Sequence, residues 1–356
     1  MRKLAILFSI FTILLSSCAD NKKEVTKINE NNFGGILNFS IISSVNSIVP
    51  AYLTDISSTQ ISSQVFEGLI KFNPKNLSIE NGIAKKWNVD TSGYVYTFQL
   101  YDNIYFHDDP CFKNSKGRNV TSEDVKYTIY FLATKSDKNK NFFGTVDKIK
   151  GAKEYYEASA NGKPDFEIEG FKKIDDYKFT ITLTSKNFPL IEFLANPAAA
   201  IIPKEGIEKY GDKCLVGCGP FIVKSINPDK NIILTRNNQY FKKDKKDNYL
   251  PYLDTINIAY VRTARTKLRM FGEGKLDIAT SIDNENATKF LDKNIKAFEG
   301  KNPKYKLMSA NILNNNSLQN IMLGNIEGFY TNSYNYIDLS IIYLKQEKQN
   351  TIAINN

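Results

Sequence analysis

The stretch FHDDPCFKNSKGRNVTSEDVKYTIYF, residues 106–131, contains a loop that leads into a capped helix. Its first half is rich in Asp, Pro, Asn, Ser and Gly, which is typical of turns. Thr121 stands where a helix N-cap is expected, and Asp124 follows three positions later as in a capping box. Val125, Ile129 and Leu132 recur at helical spacing. The stretch therefore predicts a surface loop followed by a helix near residues 122–134.

The same loop holds His107, the single histidine of the chain, beside Asp108, Asp109 and Cys111. Zinc sites usually need several Cys or His residues at set spacings, and one histidine does not supply them. A secreted hydrolase could use His107 with Asp108 or Asp109, but no G-x-S-x-G nucleophile motif accompanies it. We expect His107 to be structural, with no catalytic residue, no metal site and no cofactor.

The amino terminus, MRKLAILFSIFTILLSSCAD, has the layout of an export signal. A basic start precedes an apolar run of about a dozen residues, which is too short to span a bilayer. Leu15-Ser16-Ser17-Cys18 resembles a bacterial lipobox. We expect residues 1–17 to be a signal peptide, Cys18 to be lipidated, and residues 18–32 to be a polar tether. The protein would then lie in the cell envelope, anchored to a bacterial membrane.

Removal of residues 1–17 would leave 339 of the 356 residues, with the net charge falling from +9 to +7. Because a single core stops growing at roughly 250 to 300 residues, two lobes are expected. Lysines are scattered among acids, which favours a solvated surface over a nucleic-acid partner.

Three cysteines remain after Cys18, namely Cys111, Cys214 and Cys218. An oxidising compartment permits a disulfide, and the odd number leaves one thiol over. Cys214 could pair with Cys218, or Cys111 with either.

Alternating and helical patterns predict a mixed α/β chain. A helix is expected over residues 56–70, with Ile61, Val65 and Leu69 on one face and Gly68 near its end. Trp87 is expected to pack in the scaffold. Further helices are expected near residues 188–195 and 263–272, and strands are expected at 36–42, 94–100, 177–184, 231–236 and 254–261.

Six segments in order resemble the extracytoplasmic solute-binding proteins of ABC importers, of the peptide-binding (family 5) type. Each is a weak match alone, whereas six in the same order are specific. They are SSQVFEGLIKFNP (62–74), the stretch 79–109 that ends in FHDD, GRNVTSEDVKYTIYFLA (117–133), residues 170–205, GCGPFIVKSINPDKNIILTRNNQYF (217–241) and FGEGKLDIATSID (271–283).

The resemblance implies an α/β fold of the periplasmic-binding-protein (class II) type, in which two lobes close on a solute. One lobe would comprise residues 33–60 plus 172–282, and a smaller α/β subdomain, residues 61–171, would be inserted in it. After Asp283 the similarity largely stops. Residues 283–356 would be a reduced remnant of the far lobe and the closing segment, so the second large lobe is expected to be truncated and binding to be impaired.

The resemblance also implies the partners, namely a peptide or other small solute and an ABC permease in the membrane. Tyr52 and Asp55 lie in the loop after the first strand, which faces the cleft in relatives. Phe142 and Phe143 follow the capped helix, in a region that can supply an aromatic wall. These four residues are the candidate ligand contacts. The alternative function is a surface lipoprotein that binds another protein and takes no part in transport.

Overall fold

The computed structural model describes residues 33–143, 146–186, 188–228, 230–310, 318–330, 332 and 336–345. The predicted signal peptide, lipidated Cys18 and tether therefore lie outside the described residues. Among the described residues, no helix has the length and apolar character needed to cross a bilayer.

The described segments form a mixed α/β fold, as the sequence predicts. The strands are β1 (Ile36–Ile41), β2 (Ile70–Phe72), β3 (Ile79–Asn81), β4 (Ala84–Val89), β5 (Val95–Leu100), β6 (Phe171–Asp175), β7 (Lys178–Thr182), β8 (Phe221–Asn227), β9 (Asn231–Arg236), β10 (Thr255–Tyr260), β11 (Ile278–Ile282), β12 (Tyr305–Ala310), β13 (Leu318–Leu323), β14 (Ile326–Glu327) and β15 (Tyr343–Leu344). The helices are α1 (Ile56–Val65), α2 (Ser122–Leu132), α3 (Ala152–Ala158), α4 (Leu190–Leu194), α5 (Lys204–Tyr210), α6 (Ala264–Gly272) and α7 (Asn284–Lys293).

Three larger sheets organise these strands. The first has the order β1-β10-β9-β8, in which β1 runs parallel to β10 and the other pairs are antiparallel. The second is the antiparallel sheet β4-β5-β7-β6, and the third is β11-β13-β12. Strands β2 and β3 form a small pair, as do β14 and β15. The third sheet shows that part of the chain after residue 283 is folded against the preceding part.

Each larger sheet contributes to its own hydrophobic core. Phe98 and Phe179 of the second sheet are fully buried with Ile129 of α2, and the two phenylalanine rings stack 5.2 Å apart. Leu37 of β1 and Ile258 of β10 belong to another core, which also contains residues of α1 together with Ile326, Phe329, Leu339 and Ile342. Helices α6 and α7 pack on the third sheet. Trp87 of β4 is half-buried against the core of the second sheet, as expected of a scaffold residue.

The predicted capped helix is confirmed as α2. The backbone N–H of Thr121 donates to Oδ2 of Asp124 at 2.8 Å, so Asp replaces the usual Glu of a capping box. The guanidinium of Arg118 donates two hydrogen bonds to Asp124, at 2.7 and 2.8 Å, and two more to Glu205. The loop is thereby tied to both α2 and α5.

Helix α1 is shorter than the sequence predicts, since it ends at Val65. In a longer helix the carbonyl of Val65 would accept a hydrogen bond from Leu69. Here it accepts one from the N–H of Gly219 at 2.8 Å, and Leu69 leads into β2. This approach is close, because a Cβ atom on Gly217 would lie 2.0 Å from the carbonyl oxygen of Val65. The tertiary contact with residues 217–219 therefore ends the helix at Val65, although the apolar pattern continues to Leu69.

Candidate functional site

Strands β1 and β11 are joined by a reciprocal contact between Asn38 and Asp277. The backbone N–H and side-chain amide of Asn38 donate to Oδ2 of Asp277, at 2.6 and 3.0 Å. The backbone N–H of Asp277 donates to the carbonyl of Asn38 at 2.8 Å. Burial raises the pKa of Asp277, although both hydrogen bonds from Asn38 oppose this effect. The short G-x-x-D turn that ends in Asp277 thus places β11 beside β1.

An irregularity in β11 lies next to this junction. The pairing of β11 with β13 shifts register between Ala279 and Ile282. Between them, Ser281 has a positive φ of 56°, and its N–H donates to Oδ1 of Asn320 at 3.0 Å. Bulges of this kind redirect side chains and are frequent next to functional sites. The irregularity places Thr280 and Ser281 on the wall of a cavity.

This cavity, the β1–β11 pocket, has a volume of about 350 Å³. Such a volume falls within the range of small-molecule sites. Its wall combines the end of β1, helices α1 and α6, the irregular part of β11, β13 and five described residues between 329 and 337. The described lining residues are Ser40, Ile41, Ile42, Ile56, Ser57, Gln60, Lys267, Thr280, Ser281, Leu318, Asn320, Phe329, Tyr330, Asn332, Tyr336 and Ile337.

Lys267 gives the β1–β11 pocket a positive charge. Its side chain is almost fully buried, with 2% of the residue exposed, and Nζ donates to the carbonyl of Thr280 at 2.9 Å. Burial lowers the pKa of Lys267 to about 8. The described lining residues include neither Asp nor Glu. The ammonium group therefore has no carboxylate beside it on the described wall.

Ser40 also belongs to this wall, and its hydroxyl is buried. The residue is 1% exposed, and within the described part of the chain Oγ has no hydrogen-bond partner. Buried hydroxyl groups normally have one, because desolvation without a hydrogen bond costs free energy. The pocket thus combines an incompletely satisfied cation with an unsatisfied hydroxyl.

A groove of about 600 Å³ adjoins the β1–β11 pocket along α1. The two cavities share Ile56, Gln60, Tyr336 and Ile337 as lining residues. Asp55 also lines this groove, where its side chain caps α1 by accepting a hydrogen bond from the N–H of Ser58 at 2.8 Å. Together the two cavities provide a continuous strip of concave surface around α1.

The four predicted ligand contacts do not meet in one cavity. Tyr52 is half-buried, and its ring packs against Phe131 with 5.5 Å between ring centroids. Phe142 is fully buried and stacks on Tyr156 at 3.8 Å. Phe143 is 65% exposed and, with Phe142, lines a separate cavity of about 530 Å³. Of the four, Asp55 is the one that lines the groove adjoining the β1–β11 pocket.

His107 has the environment of a structural histidine. Nε2 lies 3.0 Å from the carbonyl of Gly219, and Nδ1 accepts from the N–H of Gly217 at 3.4 Å. These contacts fit a neutral ring protonated at Nε2, and burial lowers its pKa to about 4. Both nitrogens are thus engaged by the backbone. Through these two contacts, the imidazole ring links the loop at residue 107 to the backbone of residues 217–219.

Cys111, Cys214 and Cys218, the cysteines that the structure describes, are free thiols and form no disulfide with one another. Burial raises the pKa of Cys111 to about 12 and that of Cys214 to about 11, and it also raises the pKa of Cys218. High pKa values disfavour the reactive thiolate. Across the described residues, no group of three His, Cys, Asp or Glu side chains could hold a metal ion.

The α/β architecture and a polar pocket at strand ends are typical of proteins that bind small solutes. The sequence model of the bacterial extracellular solute-binding proteins, family 5 Middle, matches residues 78–323. The chain belongs to this family, as its sequence segments indicate.

Curated relatives have names that agree with this assignment. The chain is 27% identical over 282 residues to the oligopeptide-binding protein OppA of Bacillus subtilis (strain 168), covering 77% of this chain and 48% of that protein. It is 26% identical over 300 residues to the dipeptide-binding protein of Lactococcus lactis subsp. cremoris (strain MG1363), covering 80% and 49%. The chain spans about half the length of the curated relatives it matches. Both relatives are named as peptide-binding proteins.

Solved structures show the same fold. An oligopeptide-binding protein (OppAIV) of Borrelia burgdorferi matches with a TM-score of 0.61 and 25% identity, covering 78% of this chain and 51% of that one. An oligopeptide transporter substrate-binding domain from Bacillus anthracis str. Ames matches with a TM-score of 0.62 and 21% identity, covering 79% and 52%. The chain therefore has the fold of family 5 binding proteins over about half of their length.

The sequence prediction of the site missed Lys267 and Ser40. A signal for Lys267 was present, because it precedes Phe271 by four positions and both lie on the buried face of α6. A lysine at an apolar position of a helix indicates a buried charge. Ser40 gave no signal, since an inward serine in a strand resembles any other small residue.

Proposed function

We propose that this protein is the substrate-binding component of an ABC importer for peptides or similar small solutes. The observation that carries the proposal is the β1–β11 pocket of a chain in this family, whose wall includes the buried Lys267 and the buried Ser40. Binding proteins act without reacting groups, because a solute with higher affinity for one conformation shifts the population towards it. The partner of the loaded protein would be a membrane permease.

We further propose that the protein is held at the bacterial membrane by lipid on Cys18. A basic start, an apolar core and the Leu15–Cys18 quartet support this proposal. A lipid anchor keeps the binding protein within reach of a permease at the same surface. The location would be the cell envelope, either the periplasmic face or the cell surface.

The division into lobes also remains a proposal. The division predicted from the sequence assigns residues 33–60 and 172–282 to one lobe, residues 61–171 to an inserted smaller subdomain and residues 283–356 to the remnant, so that its second junction falls within β6. The pairing of β7 with β5 favours placing the second junction after β7, since both strands share one sheet. The β1–β11 pocket would then lie on the first lobe with contributions from the last segment.

We expect this chain alone to hold its solute more weakly than the longer relatives hold theirs. A pocket of about 350 Å³ encloses only part of a peptide, and affinity depends on how much of the ligand is buried. Calorimetric titration of the chain, expressed with its own leader, with pools of di- to pentapeptides tests the function. Saturable binding supports it, whereas no heat at millimolar peptide contradicts it.

A hydrolase that uses His107 is disfavoured by the geometry, because the backbone engages both ring nitrogens. Replacement of His107 separates the two functions. An enzyme would lose turnover with this change, whereas a binding protein would keep its affinity for the solute.

A further inference from the structure

Three aromatic rings meet where the described structure begins, at Phe33. The ring of Phe33 stacks on that of Tyr252 with 4.0 Å between ring centroids, and Tyr343 packs edge-on against both rings. These three residues, the aromatic cluster, follow Cys18 by 15 positions along the chain at their nearest member. A fully extended chain of that length reaches about 50 Å. A lipid on Cys18 would therefore keep the aromatic cluster close to the bilayer.

A lysine-rich loop, residues 242–248, adjoins the aromatic cluster. The hydroxyl of Tyr252 donates to Oδ2 of Asp244 at 2.6 Å, so one side chain joins this basic loop to the cluster. Oδ1 of Asp244 accepts hydrogen bonds from the N–H groups of Lys246 and Asn248, each at 2.8 Å. Asp244 thus fixes the conformation of the basic loop beside the aromatic rings.

The four lysines of the basic loop differ in their partners. Nζ of Lys242 and Nζ of Lys243 each lie beside a carboxylate oxygen, at 3.0 and 2.9 Å respectively. Lys245 and Lys246 are exposed, and no carboxylate among the described residues lies within ion-pair distance of either Nζ. The basic loop therefore presents two adjacent uncompensated cations to the solvent.

We propose that the basic loop and the aromatic cluster form a surface that lies on an anionic lipid bilayer. Lys245 and Lys246 would attract the lipid phosphate groups, each shifting the equilibrium towards contact about fivefold. The half-buried ring of Tyr343 would lie among the headgroups, where tyrosine is enriched. This inference rests on the proposed lipid anchor and adds the face of the protein that meets the membrane.

Two other roles would also account for exposed lysines at this position. A face that only keeps the protein soluble would have no preference for lipid, and a docking site for a permease would require the permease. Vesicles that contain lipid and no other protein separate the proposed surface from both roles. A comparison of anionic with zwitterionic lipid then tests the two lysines, because their attraction depends on the surface charge.

The experiment uses the full chain, expressed with its own leader and purified with its lipid, attached to the outside of two kinds of vesicle. One contains phosphatidylcholine alone, and the other contains phosphatidylcholine mixed with phosphatidylglycerol. Flotation first shows whether the protein is attached to each. The rate at which a water-soluble reagent acetylates each lysine is then measured by mass spectrometry at low salt. Lys172 and Lys178 are the reference groups, because they are exposed on β6 and β7 of the second sheet.

On the anionic vesicles, acetylation of Lys245 and Lys246 should be about tenfold or more slower than on phosphatidylcholine, while the reference lysines change less than about twofold. High salt should remove this protection, because it screens the attraction. Lys245→Gln should lower the protection of Lys246 to about fivefold or less, and Lys246→Gln should do the same for Lys245. Lys172→Gln is the matched control, since it removes the same charge from another surface, and it should leave both protections unchanged.

Equal acetylation rates of Lys245 and Lys246 on the two kinds of vesicle would overturn the proposed surface. Equal protection of the reference lysines would also overturn it, because the protein would then have no preferred face. The same holds if Lys246 keeps its full protection in the Lys245→Gln variant.

A protein that floats with neither kind of vesicle would contradict the lipid anchor, and the surface with it. The import function stands or falls separately, since calorimetry with peptides measures it without a membrane. A thermal melt of each variant establishes that a change in acetylation does not reflect unfolding.

Discussion

Nζ of Lys71 donates a 2.8 Å hydrogen bond to Oδ2 of Asp338, joining the middle of β2 to the last described segment, residues 336–345. Both side chains are buried. Burial lowers the pKa of Lys71, but attraction to Asp338 and Glu67 outweighs it, so the net pKa is raised. The same attraction holds the pKa of Asp338 below its ordinary value, against the effect of burial.

We predict that Asp338→Asn lowers the free energy of unfolding by about 3 kcal/mol, because it leaves a buried ammonium group without its nearest anion. The double variant Lys71→Met/Asp338→Leu should lose less, since both charges leave together. Urea unfolding measures these changes. Glu285→Gln is the control, as its ion pair with Lys289 is exposed. If Asp338→Asn lowers the free energy of unfolding no more than Glu285→Gln does, the ion pair of Lys71 with Asp338 does not stabilise the packing of the last described segment.

The single histidine predicts a specific pH dependence of stability. The pKa of His107 is lowered to about 4 in the folded state, against 6.5 ordinarily, so the unfolded chain binds more protons between these values. Stability is therefore lost as pH falls from 6.5 towards 4. Between pH 7 and pH 5 the loss from this group should be about 2 kcal/mol.

The variant His107→Gln isolates this contribution. It should be less stable than the original chain at pH 7, yet lose less stability on acidification to pH 5. Urea unfolding at the two pH values gives the comparison, and the ring signal in an NMR titration reports the pKa directly. A ring that titrates near 6.5 in the folded protein would contradict the buried, neutral histidine.

Truncation of the adjacent residues Phe142 and Phe143 should lower the free energy of unfolding by very different amounts. Phe142→Ala removes a buried ring stacked on Tyr156 and should cost about 3 kcal/mol of unfolding free energy. Phe143→Ala removes an exposed ring and should cost less than about 0.5 kcal/mol. If Phe143 contacts the solute, as the sequence resemblance suggests, its truncation should weaken peptide binding at unchanged stability. Unaltered affinity would remove Phe143 from the site.

If Cys18 carries the lipid anchor, membrane association of the protein should depend on the thiol of this residue. Cys18→Ser should abolish incorporation of a labelled fatty acid and release the exported protein from the membrane fraction. Cys111→Ser is the matched control and should keep both properties, because Cys111 is a free thiol in the folded part. Continued labelling of the Cys18→Ser variant would show that the lipid is attached elsewhere.

The local pattern of apolar and polar residues was sufficient to predict several strands and helices, but it was not sufficient to predict the candidate site. Alternation predicted β5, β7 and β9, and Thr121 with Asp124 predicted the start of α2, because each depends on neighbouring residues. The end of α1 could not be predicted, since it depends on Gly219, which lies far along the chain from Val65. The β1–β11 pocket depends in the same way on the contact of Asn38 with Asp277. Its residues come together only in the folded protein.

The central claim is that the β1–β11 pocket holds the solute. Two variants test it most directly, one at Ile42, which directly follows β1, and one at Ile36, the first residue of β1. Ile42→Trp places a bulky ring on the pocket wall, where the present side chain is 48% exposed. Ile36→Trp makes the same change at the other end of the strand, where the side chain is 56% exposed. Calorimetric titration with the peptide pools should show that Ile36→Trp binds like the original chain and that Ile42→Trp loses binding at unchanged thermal stability. Full affinity of the Ile42→Trp variant would contradict the claim.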